Sequence, residues 1–256
     1  MNKDNFVAKA TSSQFLQARI KLNQNATNNF EHWSINTMPQ IPLNSNILDL
    51  GCGTGKQIES FSHLLPKTCL YVGCDISKES IELIKQNYSG LPQLKLINES
   101  FDKLESFFED TMKFDLIYSF YALYYTENLK LLIENIYKKL NDGGVFWVVM
   151  PYKNTNIELF SILEKIYPID KKVTYSINQF SSDIISNASE VKFSDIDVSL
   201  FENKIKFESS ADLLTYLKNT TFYKKEFEEK IVQEIENSFT HEFLLTKEVI
   251  SIKLTK

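Results

Sequence analysis

Ile47-Leu48-Asp49-Leu50-Gly51-Cys52-Gly53-Thr54-Gly55 is a short apolar run that ends in three alternating glycines. Asn44, Ser45 and Asn46 break the chain just before it, and the residues from Gly55 to Leu65 carry a helical pattern just after it. The stretch therefore reads as strand, tight turn, helix. The chain has only seven glycines in 256 residues, and three of them fall in this turn. Glycine this scarce marks positions where the backbone must turn sharply or where a ligand must approach without a Cβ in the way.

Outward from the turn the rhythm repeats. Cys69 to Cys74, Leu94 to Asn98, Phe114 to Ser119 and Val145 to Met150 are further apolar strands, and helical segments separate them. Ser77 opens one such helix as an N-cap, with Glu79 in the first turn, and Asn128 to Leu140 is strongly amphipathic. Asn141 to Gly144 reads as a turn. Strands that are apolar throughout, alternating with helices, predict an α/β fold: a doubly wound, Rossmann-like sheet, mostly parallel and buried on both faces. Beyond residue 157 a helix to Ile166 leads into a polar stretch. Two β-like runs follow, Asp195 to Phe201 and Lys204 to Glu208, then two helical segments and a last strand, Glu248 to Leu254. Such terminal strands predict an antiparallel C-terminal edge. With no linker visible, a single domain over 1–256 is expected: an N-terminal helical lid over 1–40, a core over 45–151, and acceptor-pocket elements with the C-terminal strands over 152–256.

The turn has a restricted chemistry. A phosphate-binding P-loop needs four residues between its glycines and then Lys with Ser or Thr; Gly51 and Gly55 have three between them, and Gln57 follows Lys56. A dinucleotide fingerprint is GxGxxG, whereas here GxGxG follows an acid, Asp49. That acid would repel a pyrophosphate and suits a ligand with positive charge. Asp75 closes the next strand, where a carboxylate can accept hydrogen bonds from both hydroxyls of a ribose. Loop and acid together make a nucleoside-binding half-site.

With these residues the chain resembles the class I S-adenosylmethionine-dependent methyltransferases. ILDLGCGTGKQIESF is similar to their nucleotide loop, LYVGCDISKESIELIKQNY to their ribose-acid motif, and the region from Phe114 to Val149 to their fourth strand and the turn before the fifth. The resemblance covers residues 5 to 151. Beyond them, FESSADLLTYLKNTTFY and LTKEVISIKL look like the carboxyl-methylating subgroup of malonyl-carrier-protein and trans-aconitate methyltransferases. The resemblance implies S-adenosyl-L-methionine as cofactor. It implies that Asp49, Gly51, Cys52, Gly53 and Gly55 surround the methionine moiety, that Asp75 holds the ribose, and that Ile76 packs on the adenine. Ser100 and Phe101 would flank the adenine, although Ser100 stands where the family usually has an acid, and Ser119 would line the methyl-donor side. The opening segment is similar to the family's cap helix, with Phe15 in place of the usual tyrosine. Arg19, the single arginine among 28 basic residues, could reach the cofactor carboxylate.

Methyl transfer asks mainly for positioning, because the sulfonium is already electrophilic. Tyr121, Tyr124 and His32 are the candidate catalytic groups near the expected mouth, and Tyr118, Tyr121, Tyr124 and Tyr125 would give an amphipathic wall for a compact polar acceptor. The expected partner is a small metabolite, a carboxylate or sugar-like acceptor methylated on oxygen or nitrogen. Two rivals are an RNA methyltransferase and a non-catalytic adenosyl-binding protein. A net charge of −5 and a lone arginine disfavour nucleic acid. No metal-ligand constellation is apparent, no apolar run approaches the length of a membrane span, and three scattered cysteines (Cys52, Cys69, Cys74) fit a reducing, cytoplasmic setting.

Overall fold

The computed structural model describes residues 26–61, 63–64, 69–88, 93–109 and 111–256. Arg19, Phe15 and most of the expected lid lie outside the described residues. The described residues gather into two compact units. One holds 26–30, 151–179 and 201–249; the other holds Glu31–Met150, Phe180–Leu200 and Ile250–Lys256.

The strands are β1 (Asn46–Leu50), β2 (Leu70–Cys74), β3 (Leu94–Ile97), β4 (Phe114–Phe120), β5 (Leu140–Pro151), β6 (Asp195–Phe207) and β7 (Phe243–Thr255); the second unit holds β1 to β4, β5 as far as Met150, and the Asp195–Leu200 and Ile250–Thr255 parts of β6 and β7. Their order across the sheet is β3-β2-β1-β4-β5-β7-β6. The pairs β3–β2, β2–β1, β1–β4 and β4–β5 are parallel. The strand β7 runs against its neighbours: Gly143 N–H donates to the Lys256 carbonyl, Lys256 N–H donates to that of Gly144, and Ser194 N–H donates to the Thr255 carbonyl. The expected antiparallel C-terminal edge is thus present, with β7 tucked between β5 and β6. Winding reverses at β1, which has β2 on one side and β4 on the other. The carboxyl end of a strand at such a reversal is where open α/β sheets bind ligands.

Parallel strands need crossover helices, and these bury both faces of the sheet. The helices before and within this part are α1 (Phe30–Thr37), α2 (Lys56–Phe61), α3 (Lys78–Asn87) and α4 (Leu129–Lys139). Ser77 Oγ accepts from Ser80 N–H and caps α3, while Asn128 Oδ1 accepts from Leu131 N–H and caps α4. Ile47, Leu48, Leu50, Val72, Ile117, Phe146 and Trp147 are wholly excluded from solvent. Contiguous apolar strands are apolar for this reason: neither face meets water.

The structure departs from the sequence reading in three places. The turn at Asn141–Gly144 is looped out of a continuous β5, since Leu140 pairs with Phe114 and Val145 already pairs with Leu116. The two β-like runs near 195–208 form one strand. The polar stretch after residue 166 contains α6 (Lys171–Asn178) and α7 (Phe180–Val191), following α5 (Ile157–Leu163). Val173 with Ile177, and Phe180 with Ile184 and Ala188, are buried at four-residue spacing. The many serines and asparagines between them masked that stripe. Two further helices, α8 (Ser210–Lys218) and α9 (Glu228–Ser238), precede β7.

In the first unit, residues 26–28 are fastened to β6. Ala26 bridges Ile205, Thr27 N–H donates to the Lys204 carbonyl, and Asn203 Oδ1 accepts from Thr27 Oγ1 and Asn28 N–H.

Candidate functional site

The turn after β1 is held by the end of β2. Gly51 N–H (2.8 Å) and Cys52 N–H (3.0 Å) both donate to the Cys74 carbonyl, and Gly55 N–H closes back onto the Cys52 carbonyl. Gly51 and Gly55 have φ of +82° and +86°, a region that side-chain-bearing residues rarely enter. At Gly51 space is also short, because Ala122, just past β4, packs directly against it. Cys52 turns its sulfur inward against Gly73, so the loop residue itself offers only backbone to a ligand.

Asp75 knits the loop to α3. Its Oδ2 accepts from Gly53 N–H (2.8 Å) and its Oδ1 from Ser77 N–H (2.8 Å). Burial pushes this carboxyl above its ordinary range, and those two N–H bonds pull against the shift. A carboxylate has about four acceptor positions, so two backbone donors leave room for two hydroxyls. Asp75 is only partly buried, which keeps that room reachable. The next residue, Ile76, is 46% exposed beside it and offers apolar surface there.

Asp49 is fully buried at the other side of the turn. Its Oδ2 accepts from the Tyr71 hydroxyl at 2.7 Å, and its Oδ1 has no hydrogen-bond partner among the described residues. Burial raises its carboxyl from an ordinary 3.8 to about 7, opposed by the hydroxyls of Tyr71 and Tyr118 and reinforced by the negative charge of Asp75. A buried acceptor without a donor costs on the order of 1–3 kcal/mol, and a cationic donor arriving there would recover it.

The remaining expected residues separate clearly. Phe101 is buried and its ring edge approaches Gly51, so it stands beside the loop. Ser100 Oγ accepts from Asp102 N–H and caps the 3-10 turn Phe101–Ser106. Tyr121 lies directly after β4 with a left-handed backbone, φ +55°, held by its N–H donating to the Val149 carbonyl at 2.8 Å; its side chain is 39% exposed. Strain of this kind in a bulky residue costs on the order of 1–3 kcal/mol and is concentrated at functional sites. Tyr124 packs on Tyr125 (ring centroids 4.7 Å apart) and edge-on to Phe180. His32 is exposed on α1, with its Nε2 3.4 Å from Asn36 Nδ2.

Ser119 is fully buried, and its hydroxyl donates to the Leu50 carbonyl, tying β4 to β1. One expectation is corrected. Tyr118 is not part of an exposed wall; strand alternation points it into the sheet's aromatic packing, where it is 1% exposed and bonded to Tyr71. Tyr71 and Asp102 were not anticipated at all. Asp102 accepts from Thr126 Oγ1 and Glu127 N–H, locking the turn after β3 to the turn after β4. The signal for Tyr71 was a polar atom inside an otherwise apolar strand, a hydroxyl that burial obliges to find a partner. A separate cavity beside β3, lined by Val72, Lys95, Leu96, Phe107, Phe108 and Met112 among others, includes none of the loop residues. Among the described residues no cluster of His, Cys, Asp and Glu has the makings of a metal site, and no helix is long and apolar enough to cross a membrane.

Residues 43–180 match the family described as a methyltransferase domain. Malonyl-[acyl-carrier protein] O-methyltransferase 2 of Ilyobacter polytropus is 28% identical over 148 residues, 58% of this chain and 54% of that protein. Carboxy-S-adenosyl-L-methionine synthase of Staphylococcus epidermidis is 23% identical over 70% of this chain and 76% of its own length. The match thus spans about half of the first relative and three quarters of the second. Among solved structures, phosphoethanolamine N-methyltransferase 2 of Haemonchus contortus, crystallised with phosphomonomethylethanolamine and S-adenosylhomocysteine, superposes with a TM-score of 0.59 at 14% identity, covering 98% of this chain and 59% of that one. A likeness at that identity speaks for the fold.

Proposed function

The chain belongs to the S-adenosylmethionine-dependent methyltransferases, and from that premise we propose that it transfers a methyl group to a small polar metabolite, with a carboxylate as the favoured acceptor. The observation that carries the reading is the unpartnered, buried Oδ1 of Asp49 beside a glycine turn and a second acid, Asp75. These residues fit the cofactor. Asp49 offers an acceptor to an ammonium group, Asp75 has acceptor positions for the two ribose hydroxyls, and Ile76 and Phe101 offer apolar surface to the base. The cofactor supplies, when bound, a methyl group on a positively charged sulfur.

What remains for the protein is to orient the acceptor and keep water out. Tyr121 and Tyr124 are the residues we assign to the acceptor, as hydroxyl donors on a largely aromatic surface. A carboxylate acceptor has no proton to lose, so no general base is required of them. The name of the Ilyobacter relative, which is an O-methyltransferase, supports transfer to oxygen.

The test is transfer of labelled methyl from S-adenosylmethionine to a cell metabolite extract. Label in the small-molecule fraction, released by mild base as volatile methanol, is the expected result and identifies a methyl ester. Base-stable label in that fraction would move the acceptor to nitrogen. Label confined to RNA, or none at all despite firm cofactor binding, would overturn the reading in favour of a macromolecular enzyme or a binding protein.

A further inference from the structure

We propose that Tyr71 and Tyr118 are positioning residues for the cofactor: their paired hydroxyls hold Asp49 by one oxygen, leave the other for the cationic aminoacyl end of S-adenosylmethionine, and make binding there release a proton. The inference rests on the cofactor reading above and concerns residues outside the glycine loop.

Three strands bring the groups together. Asp49 on β1 is in register with Gly73 on β2 and with Tyr118 on β4. Tyr71 stands two residues before Gly73, so its side chain leaves the same face of the sheet. Its hydroxyl is 2.7 Å from Asp49 Oδ2 and 2.5 Å from the hydroxyl of Tyr118. A phenol has one proton to give. With Tyr71 donating to the carboxylate, Tyr118 donates to Tyr71, and the chain runs in one direction from Tyr118 through Tyr71 to Asp49. Both tyrosines are almost wholly buried, at 5% and 1% exposure.

The surroundings keep this chain dry. Phe61 from α2 meets Tyr118 edge-on, as does Phe120 from β4, and Trp147 from β5 packs against all three. Among the described residues no cation acts on Asp49. The charged group that acts on it is Asp75 from the end of β2, which repels, and the nearby thiols of Cys52 and Cys74 are held neutral by burial. A carboxylate with one oxygen served and the other bare, in an aromatic pocket beside a second acid, is a poor anion. Near neutral pH it is partly protonated until a cation arrives at Oδ1; then that proton leaves to solvent and the ion pair takes its place. The tyrosine chain sets how easily that exchange happens, because each hydroxyl stabilises the charged form more than the neutral one.

Calorimetric titration with S-adenosylhomocysteine between pH 5.5 and 9, in buffers of different ionisation enthalpy, tests this without turnover. Wild-type affinity should fall about tenfold per pH unit below neutrality, and binding at pH 7 should release about half a proton. Asp49→Asn should release none. Tyr71→Phe should bind about fivefold more weakly than wild type at pH 7, and the ratio should close towards one by pH 9, since its midpoint moves up by about one pH unit. Taking ratios cancels titration of the ligand's own amino group. Tyr118→Phe should behave in the same direction and serves if Tyr71→Phe misfolds. A variant-to-wild-type ratio constant across pH, or wild-type affinity that ignores pH, would overturn the proton-linked role and leave the cofactor reading standing. No binding by the wild type at any pH would overturn both.

Discussion

Ala122 occupies the space that any side chain on residue 51 would need: a Cβ built on Gly51 would lie 2.2 Å from the Ala122 Cβ. The turn that carries the first strand into α2 is therefore packed against the residue that follows Tyr121, and the positions of the cofactor loop and of the β4 turn are set jointly. Gly51→Ala meets both this collision and a φ of +82°. It should destabilise the protein by at least about 2 kcal/mol in denaturant titration. Adding Ala122→Gly should restore part of the loss, because it removes the collision and leaves the backbone strain. Full additivity of the two changes would contradict the contact.

Asp49 imposes a stability cost with a definite sign. Its carboxyl is raised by burial from 3.8 to about 7, so the folded protein holds a proton that the unfolded chain has lost between those values. Stability from this group is present below pH 4 and drains away as pH rises to 7. Without cofactor, Asp49→Asn should gain on the wild type by about 2–4 kcal/mol on going from pH 4 to pH 8. Denaturant midpoints at the two pH values check this; an equal difference at both would contradict it.

Tyr121 combines a left-handed backbone with an exposed aromatic side chain. Its ring and hydroxyl are assigned to the acceptor, and its backbone strain is held by the Val149 carbonyl. Tyr121→Gly should therefore leave stability unchanged or raise it by up to about 1 kcal/mol, while lowering methyl transfer at least tenfold. Tyr121→Phe should keep cofactor affinity within about twofold and lower transfer through the acceptor's KM. Unimpaired transfer in both variants would remove Tyr121 from the site.

Much of this was legible in the sequence because it depends on local rules. Apolar strands flanked by turns identify a sheet buried on both faces, and Ser77 and Asn128 announce their helices by their capping chemistry. The glycine cluster locates the loop, since a φ above +80° at Gly51 and Gly55 leaves few alternatives. What was hidden depends on register. Whether Tyr118 faces the mouth or the interior turns on strand alternation relative to Asp49. Tyr71 becomes part of the site only when β2 lies beside β1, a long-range pairing that no local pattern reports. The helices α6 and α7 were obscured for a different reason: their buried stripes are narrow and set among serines and asparagines.

The opening segment is rich in apolar side chains (Phe6, Phe15, Leu16, Ile20 and Leu22 among them), and the sequence expectation for residues 1–40 is a helical lid over the cofactor. Burying three such side chains would contribute roughly 5–9 kcal/mol towards the cost of ordering the segment. Deleting residues 1 to about 30 should leave the rest folded and weaken S-adenosylhomocysteine binding at least tenfold, read by calorimetry. A truncated protein that binds like the full chain would show that the segment is no lid.

The reading of this chain as a methyltransferase stands on two acids flanking one turn, and a crystal structure of its complex with S-adenosylhomocysteine tests that most directly. The ribose hydroxyls should donate to Asp75, the amino group should sit at Asp49 Oδ1, and the sulfur should face the Tyr121 side of the loop. An adenosyl group bound away from Asp75, or an amino group that leaves Asp49 Oδ1 without a partner, would contradict it.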